Sequence, residues 1–470
     1  MDQEIQQQKQ YRLVIQAVAS SAYAEGDRLK IEAVECLRYL PGRRSVWRAL
    51  CQGQTLLLKV YDIHAKQGRD ADREWQHSTR LYQDGLAVAA PLFMASSDDG
   101  LMAVAYEFIA KGRDLAEHLG NADESERNDA LRQLIQLHVL QHELGCFQSD
   151  DHLGNYLWSQ GRLWMLDVGS CVFDSAPLGE AERVRNMAML AANIPLPLRA
   201  AYDERLVDEY AVELPGLGQA ISGAIRKRIK KYFKKTRRAC SEFEYERRSG
   251  SAWLACRDID PEIKRKLVED PDQFFGAGKN MIKNGHTCSV VGIEENEKSY
   301  ILKRYNRKPL GYRLLHMLMT PRALSNWSNG HVLRLFGIAT PRPLACYTFT
   351  VGPLFSKGYL LMEKIPGVSL HKLDRADVAD SRNDIPGQFV MLRHELDAIK
   401  AVHGDMKASN FILDDSGGLQ LIDLDSLVFH VPNQHYEREK AKDLARFLRN
   451  WQDCPELLEL FRSELAAISE

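Results

Sequence analysis

Apolar positions follow a strand-like spacing over residues 46–61 and 102–108, and again over 287–292, 299–305 and 358–363. Side chains two positions apart share one face of a strand, so these segments predict β-structure. Residues 126–144 and 387–402 space their apolar side chains as helices do. Each run of strands precedes a helix. The chain therefore reads as a strand-rich part followed by a helical part, written twice, and the expected fold class is α+β.

The repeat is also visible in individual residues. Glu74-Trp75 leads after ten positions to Gly85, and Asn326-Trp327 leads after ten to Gly337. Lys59, in Leu57-Leu58-Lys59-Val60-Tyr61, has its counterpart in Lys303, in Ile301-Leu302-Lys303-Arg304-Tyr305. Glu107 matches Glu363, Asp150 and Asn155 match Asp405 and Asn410, and Asp167 matches Asp423. The offset drifts from 244 at the lysines to 256 at the last pair, as loop insertions produce. Five ordered landmarks predict a tandem duplication. The expected boundaries are a first domain over 1–225, a basic linker over 226–248 and a second domain over 249–470.

Composition narrows the setting. A length of 470 residues is too great for one core. Nine cysteines with no Cys-x-x-Cys pair suit reduced thiols better than a disulfide framework or a zinc site. No apolar run reaches the roughly 18–20 residues that span a bilayer, and the polar Met1-Asp2-Gln3-Glu4 start is not a secretory signal. The expected location is cytoplasmic, at most peripheral on a membrane. A net charge of −2 gives no global attraction to nucleic acid, and none is expected as a partner.

The chemistry concentrates in His403-Gly404-Asp405-Met406-Lys407-Ala408-Ser409-Asn410, followed by Ile422-Asp423-Leu424-Asp425. A strand–turn–strand hairpin between them would gather Asp405, Asn410 and Asp423. Phosphoryl transfer needs such a set: one carboxylate to orient the acceptor hydroxyl, oxygen ligands for Mg²⁺, and a lysine on the phosphates. Asp405 is the candidate catalytic residue, Asn410 and Asp423 the candidate metal ligands, and Lys303 the candidate ATP-binding cation. The D-x4-N spacing resembles the kinase catalytic loop. In the first half Asp150, Asn155, Asp167 and Lys59 take these roles, with Gln148 where the second half has His403. Glu74, fifteen residues after Lys59, is the expected ion-pair partner of that lysine; Asn326 at the aligned place leaves Lys303 without one. Glu107 and Glu363 complete the candidate ATP-binding set. Each half offers only a weak glycine loop, around Gly42-Arg43-Arg44 and around Gly285-His286-Thr287.

These motifs resemble the bacterial lipopolysaccharide core kinases, which phosphorylate heptose or Kdo sugars. The likeness is closest over Leu302-Lys303-Arg304-Tyr305-Asn306, Thr320-Pro321-Arg322-Ala323-Leu324-Ser325-Asn326-Trp327, Gly337 to Ala345, and the Asp405 and Asp423 motifs. It implies two tandem protein-kinase-like domains, each a strand-rich N-lobe before a helical C-lobe. It also implies ATP and Mg²⁺ as cofactors, a sugar of the lipopolysaccharide core or its lipid-linked precursor as acceptor, and Asp405 and Asp150 as catalytic carboxylates. Gln148 and Asn326 depart from the pattern and leave open which half works.

Two surfaces suit an anionic membrane. One is the basic run that opens at Arg226 and closes at Arg238, broken by Ile229, Tyr232 and Phe233. The other is the apolar and basic stretch 308–319. The same motifs also fit two rivals: a phosphotransferase of the antibiotic-kinase type, and a catalytically silent scaffold.

Overall fold

The computed structural model describes residues 11–40, 42–63, 66–174, 176–210, 213–276, 280–306, 320–351, 354–380, 382–430 and 433–467. The stretch 308–319 and Pro41 of the first glycine loop lie outside them. The chain forms two compact units, residues 1–194 with 198–221, and residues 195–197 with 222–470.

In the first unit six strands close an antiparallel barrel. They are β1 (Tyr11–Ser20), β2 (Arg28–Leu40), β3 (Arg44–Cys51), β4 (Gln54–Tyr61), β5 (Pro91–Ser97) and β6 (Met102–Glu107), in the order β1-β2-β3-β4-β6-β5. Period-two alternation sorts β4. Leu56, Leu58 and Val60 join Trp47, Ile31 and Phe93 in the barrel core, which leaves Lys59 on the opposite face. Helix α1 (Gln67–Gln83) separates β4 from β5. A helical part follows, led by helices Glu124–Glu143, Glu180–Ala191 and Arg199–Glu209 around Leu134, Tyr156, Met187 and Tyr202.

The second unit has an open antiparallel sheet of seven strands: β7 (Phe243–Arg248), β8 (Ser251–Cys256), β9 (Met281–Asn284), β10 (Cys288–Glu295), β11 (Lys298–Tyr305), β12 (Pro343–Val351) and β13 (Leu354–Glu363). Their order is β7-β8-β12-β13-β11-β10-β9. Helix α2 (Arg322–Leu335) lies between β11 and β12 in sequence. The helices Ile385–Ala398, Asn433–Leu448 and Pro455–Ala467 then pack on an aromatic cluster in which Phe389 and Phe447 stack at 3.7 Å.

The order β2-β3-β4-β6-β5 in one unit equals β9-β10-β11-β13-β12 in the other. The register agrees as well. Lys59 stands opposite Val46 and Val104, and Lys303 opposite Val290 and Leu360. Arg44 stands opposite Tyr61 as Cys288 stands opposite Tyr305.

Residues 226–248, expected as a linker, are built into the second unit. Residues up to Lys235 lie in the helix Leu217–Lys235, and 243–248 are β7. The physical reason is apolar anchoring along the charged run. Ile225 and Ile229 are buried, Phe233 packs edge-on against Phe429, and Thr236 accepts the Trp327 indole N–H on its carbonyl at 2.8 Å. Arg226, Lys227, Lys230, Lys231 and Lys234 remain exposed on one helical face. No helix among the described residues is long and apolar enough to cross a membrane.

Candidate active site

The second unit assembles its site from a hairpin. Strands Phe411–Asp414 and Leu419–Leu421 pair with Phe411 opposite Leu421. The Ile422 N–H then donates to the Asn410 carbonyl at 2.9 Å, which brings Asp423 beside Asn410. Asn410 donates its side-chain amide to the Asp405 carbonyl at 2.8 Å, and so leaves Oδ1 as the oxygen it offers. Asp423 sits in the left-handed region at φ 61, a strained position for a non-glycine residue of the kind functional sites retain. Lys303, 8% exposed on β11, donates to Asp423 Oδ1 at 2.6 Å. Asp423 Oδ2 and Asn410 Oδ1 are thus hard oxygen donors beside a cation, a set that fits Mg²⁺ with phosphate on its far side.

Asp405, the candidate catalytic residue, is partly exposed. Partial burial pushes its carboxyl up, but Lys407 at 2.8 Å, with Asn410 and Arg446 beside it, holds it below the usual carboxylate range. His403 precedes Asp405 by two positions. It is fully buried, burial lowers its pKa, its Nε2 meets the Ile422 carbonyl at 3.2 Å, and its Nδ1 accepts from the Asp405 N–H at 3.3 Å. Its role is to tie the loop carrying Asp405 to the strand carrying Asp423. Gly404, at φ 79, meets its loop so closely that a Cβ would lie 2.8 Å from the Ser426 carbonyl.

Lys303 does have a buried partner, contrary to the expectation drawn from Asn326. Asp425, its side chain 6% exposed, pairs with Lys303 at 2.9 Å. Its Oδ1 accepts from Asn326 Nδ2 at 2.7 Å and from Tyr305 OH at 2.5 Å, and its Oδ2 takes Arg322 at 2.6 Å. Burial pushes the Asp425 carboxyl up, but the Lys303 charge and these donors hold it below the ordinary range. Burial likewise works against the Lys303 ammonium, and Asp425 and then Asp423 outweigh it.

Residues 281–464 match the lipopolysaccharide kinase (Kdo/WaaP) family. The matched segment holds every group just described. Over 192 residues the chain is 25% identical to 3-deoxy-D-manno-octulosonic acid kinase of Xylella fastidiosa (strain 9a5c), covering 38% of this chain and 71% of the relative. It is 27% identical over 186 residues to the enzyme of the same name from Stenotrophomonas maltophilia (strain K279a), covering 37% and 72%. Among solved structures a rhoptry kinase from Toxoplasma gondii aligns with 47% of this chain and 86% of its own at 14% identity, with a TM-score of 0.33, too low to bear on the fold.

Besides Asp425, two residues that hold these loops are not singled out by the sequence. Asp443, on the helix Asn433–Leu448, accepts the Gly404 N–H at 2.9 Å and the Met406 N–H at 3.5 Å, and so fixes the loop from below. In the first unit Asn186 does this work, accepting the Gln148 N–H at 3.2 Å. Glu363 was expected near the nucleotide. Its side chain lies 3.5 Å from Arg342, and no contact among the described residues joins it to Lys303 or Asp423.

The first unit gathers its set differently. Lys59 pairs with buried Glu74, whose other oxygen accepts the Gly169 N–H at 3.0 Å and whose first oxygen accepts from Tyr106 OH at 3.1 Å. Asp167 lies 3.9 Å from Lys59 and 2.6 Å from Arg44. Burial would raise its carboxyl, but Lys59 and Arg44 bring it down to about 2. Asn155 donates to the Asp150 carbonyl at 2.7 Å, as in the second unit, and the Leu166 N–H donates to the Asn155 carbonyl at 2.7 Å. Asp150 itself points outward, its side chain 63% exposed. Gln148 is buried and accepts from Ser170 Oγ at 2.7 Å, while its Nε2 finds no hydrogen-bond partner among the described residues. Glu107 lines the same cleft as Lys59, a cavity of about 390 Å³.

Proposed function

We propose that the chain is an ATP-dependent kinase of sugar hydroxyls in the lipopolysaccharide inner core, and that its second unit carries the transfer. The family match over residues 281–464 carries the reading, because it falls on the unit whose Lys303, Asp423, Asn410 and Asp405 form a set suited to phosphoryl transfer. Bound Mg-ATP would supply the phosphoryl group and the charge that stabilises its transfer. Asn410 Oδ1 and Asp423 would hold the metal, and Lys303 would face the phosphates. Asp405, kept ionised by Lys407, would orient the acceptor hydroxyl and take its proton. His403 and Asp443 keep that loop in position. The relatives' name favours Kdo over heptose as acceptor.

The matching strand orders and lysine registers support an origin of the two units by duplication, with the second beginning near Ser222. The exposed stripe Arg226, Lys227, Lys230, Lys231 and Lys234 suits the anionic cytosolic face of an inner membrane, where each basic residue adds up to about 1 kcal/mol. That would bring the second unit to a lipid-linked acceptor.

The test is phosphate transfer from labelled ATP with three acceptors offered separately: a Kdo-bearing lipid A precursor, a heptose-bearing core oligosaccharide, and an aminoglycoside. Labelling of the Kdo acceptor supports the reading. Labelling of the aminoglycoside alone selects the antibiotic-kinase rival, and no labelling together with no ATP binding selects the scaffold.

A further inference from the structure

The first unit has what a nucleotide needs, yet a divalent ion does not fit it. Its cleft of about 390 Å³ is walled by Val46, Leu57, Ala89, Tyr106, Leu157 and Met165, an apolar slot of the size that small-molecule ligands occupy. Lys59, Arg44, Asn155 and Asp167 share the same lining. The residue that would have to ligate a metal is Asp167, and two cations already lie beside it. Oδ2 accepts from Arg44 Nη2 at 2.6 Å, and Oδ1 faces Lys59 at 3.9 Å. A divalent ion placed on this carboxylate would meet a guanidinium within a few ångströms, and like charges at that range repel strongly in a partly buried site.

Among the described residues of the second unit no guanidinium is paired with Asp423. By strand register the place of Arg44 is taken there by Cys288, and only one oxygen of Asp423 is bound by Lys303. Arg322, the guanidinium described at the second unit's site, pairs with Asp425 Oδ2 at 2.6 Å, whereas Arg44 pairs with the loop aspartate itself. Arg44 also has the right chemistry for the task, since its planar array of N–H donors binds phosphate oxygens in pairs. Asp150, turned to solvent at 63% exposure and lacking a buried histidine before it, is poorly held for transfer.

We propose that the first unit is a metal-independent binding site for a nucleoside triphosphate, in which Arg44 stands where the second unit would hold a divalent ion. The inference rests on the reading of the chain as two nucleotide-binding units.

The experiment uses the full chain carrying Lys303→Ala and Asp423→Ala, which silence the second unit, with trinitrophenyl-ATP as probe and unlabelled ATP as competitor. Binding is measured in EDTA and in excess Mg²⁺. The expected result is equal affinity in the two buffers within about threefold, and a loss of at least about tenfold in EDTA on Arg44→Ala, a tenfold change being the smallest read as a lost contact. Arg44→Lys, which keeps the charge without the planar array, should fall between the two, and circular dichroism confirms that each variant is folded. Binding that EDTA abolishes while Arg44 is present overturns the inference, as does an absence of ATP binding in both buffers or an unchanged affinity in Arg44→Ala. The unmutated chain separates the two levels of failure. If it neither binds ATP nor transfers phosphate, the functional reading falls; if it transfers phosphate but the silenced chain binds nothing in EDTA, only the metal-independent site falls.

Discussion

Asp425 pairs with Lys303 at 2.9 Å and accepts the amide of Asn326 at 2.7 Å, so one carboxylate occupies the place that Glu74 fills for Lys59. The two units have traded positions for this charge. Where the first has glutamate on its helix and Gly169 two residues after Asp167, the second has Asn326 on its helix and Asp425 two residues after Asp423. Space enforces the trade in the first unit, because a Cβ on Gly169 would lie 2.4 Å from Glu74 Oε2. Besides Asp167 or Asp423, one further carboxylate lies beside each lysine, and it comes from one element or the other.

This relationship predicts a rescue. Asp425→Gly should raise the KM for ATP and lower kcat, because Lys303 loses its buried counter-charge while Asp423 remains. Asn326→Glu alone should crowd a second carboxylate against Asp425 and also impair activity. The double variant, which copies the first unit, should recover much of the loss, with a coupling energy of about 1–3 kcal/mol in a double-mutant cycle. Steady-state kinetics on the four proteins decide it, and additive losses would refute the trade.

Gly404 supplies a second prediction. Its φ of 79 and the 2.8 Å approach of a would-be Cβ to the Ser426 carbonyl exclude larger residues. Gly404→Ala should cost about 1–2 kcal/mol of stability from the left-handed backbone alone, and a larger share of activity, because Asp405 is the next residue. Chemical denaturation and kcat measured together separate the two effects.

A third concerns pH. His331 is packed between Trp327 and Phe243, and burial lowers its pKa to about 3. Its neutral form is the one the fold accepts. The stability it allows is therefore complete above its unfolded pKa of about 6.5 and declines as pH falls from there toward 3, by up to about 1.4 kcal/mol per pH unit. His331→Phe should flatten the pH dependence of second-unit unfolding over that window, as followed by tryptophan fluorescence of Trp327. A slope unchanged by the substitution would contradict the assignment.

Much of this was legible in the chain. The strand lysines stand out inside apolar, period-two runs, and the D-x4-N loops with Asp167 and Asp423 stand out at the ends of such runs. What stayed hidden has physical reasons. β2 breaks its alternation at two register shifts, between Ala33 and Glu35 and between Cys36 and Arg38, so no clean period marks it. β7 is an edge strand whose last four residues are exposed, and its charges, a guard against edge pairing, read as continuation of the basic run. Asp425 is masked by the helix position, where a counter-charge to the lysine is expected; the contrast between Asp167-Val168-Gly169 and Asp423-Leu424-Asp425 is the signal the sequence holds. Asp443 carries no local motif, since its task depends on a helix folding back under a loop forty residues earlier.

The basic stripe gives a fourth prediction. Reversing Lys230 and Lys231 to glutamate should weaken binding to vesicles containing anionic phospholipid, leave binding to neutral vesicles unchanged, and reduce the salt sensitivity of the interaction. Vesicle co-sedimentation at two ionic strengths measures it. Equal binding by both proteins would remove the membrane from the account.

The most direct test of the central claim compares phosphate transfer to a Kdo-bearing lipid A precursor by the full chain, by Asp405→Asn and by Asp150→Asn. Loss of a positioned general base costs about 10²–10⁴-fold, and the account predicts a loss of that size for Asp405→Asn with Asp150→Asn close to the unmutated rate. Full activity in Asp405→Asn, or a collapse confined to Asp150→Asn, would contradict it.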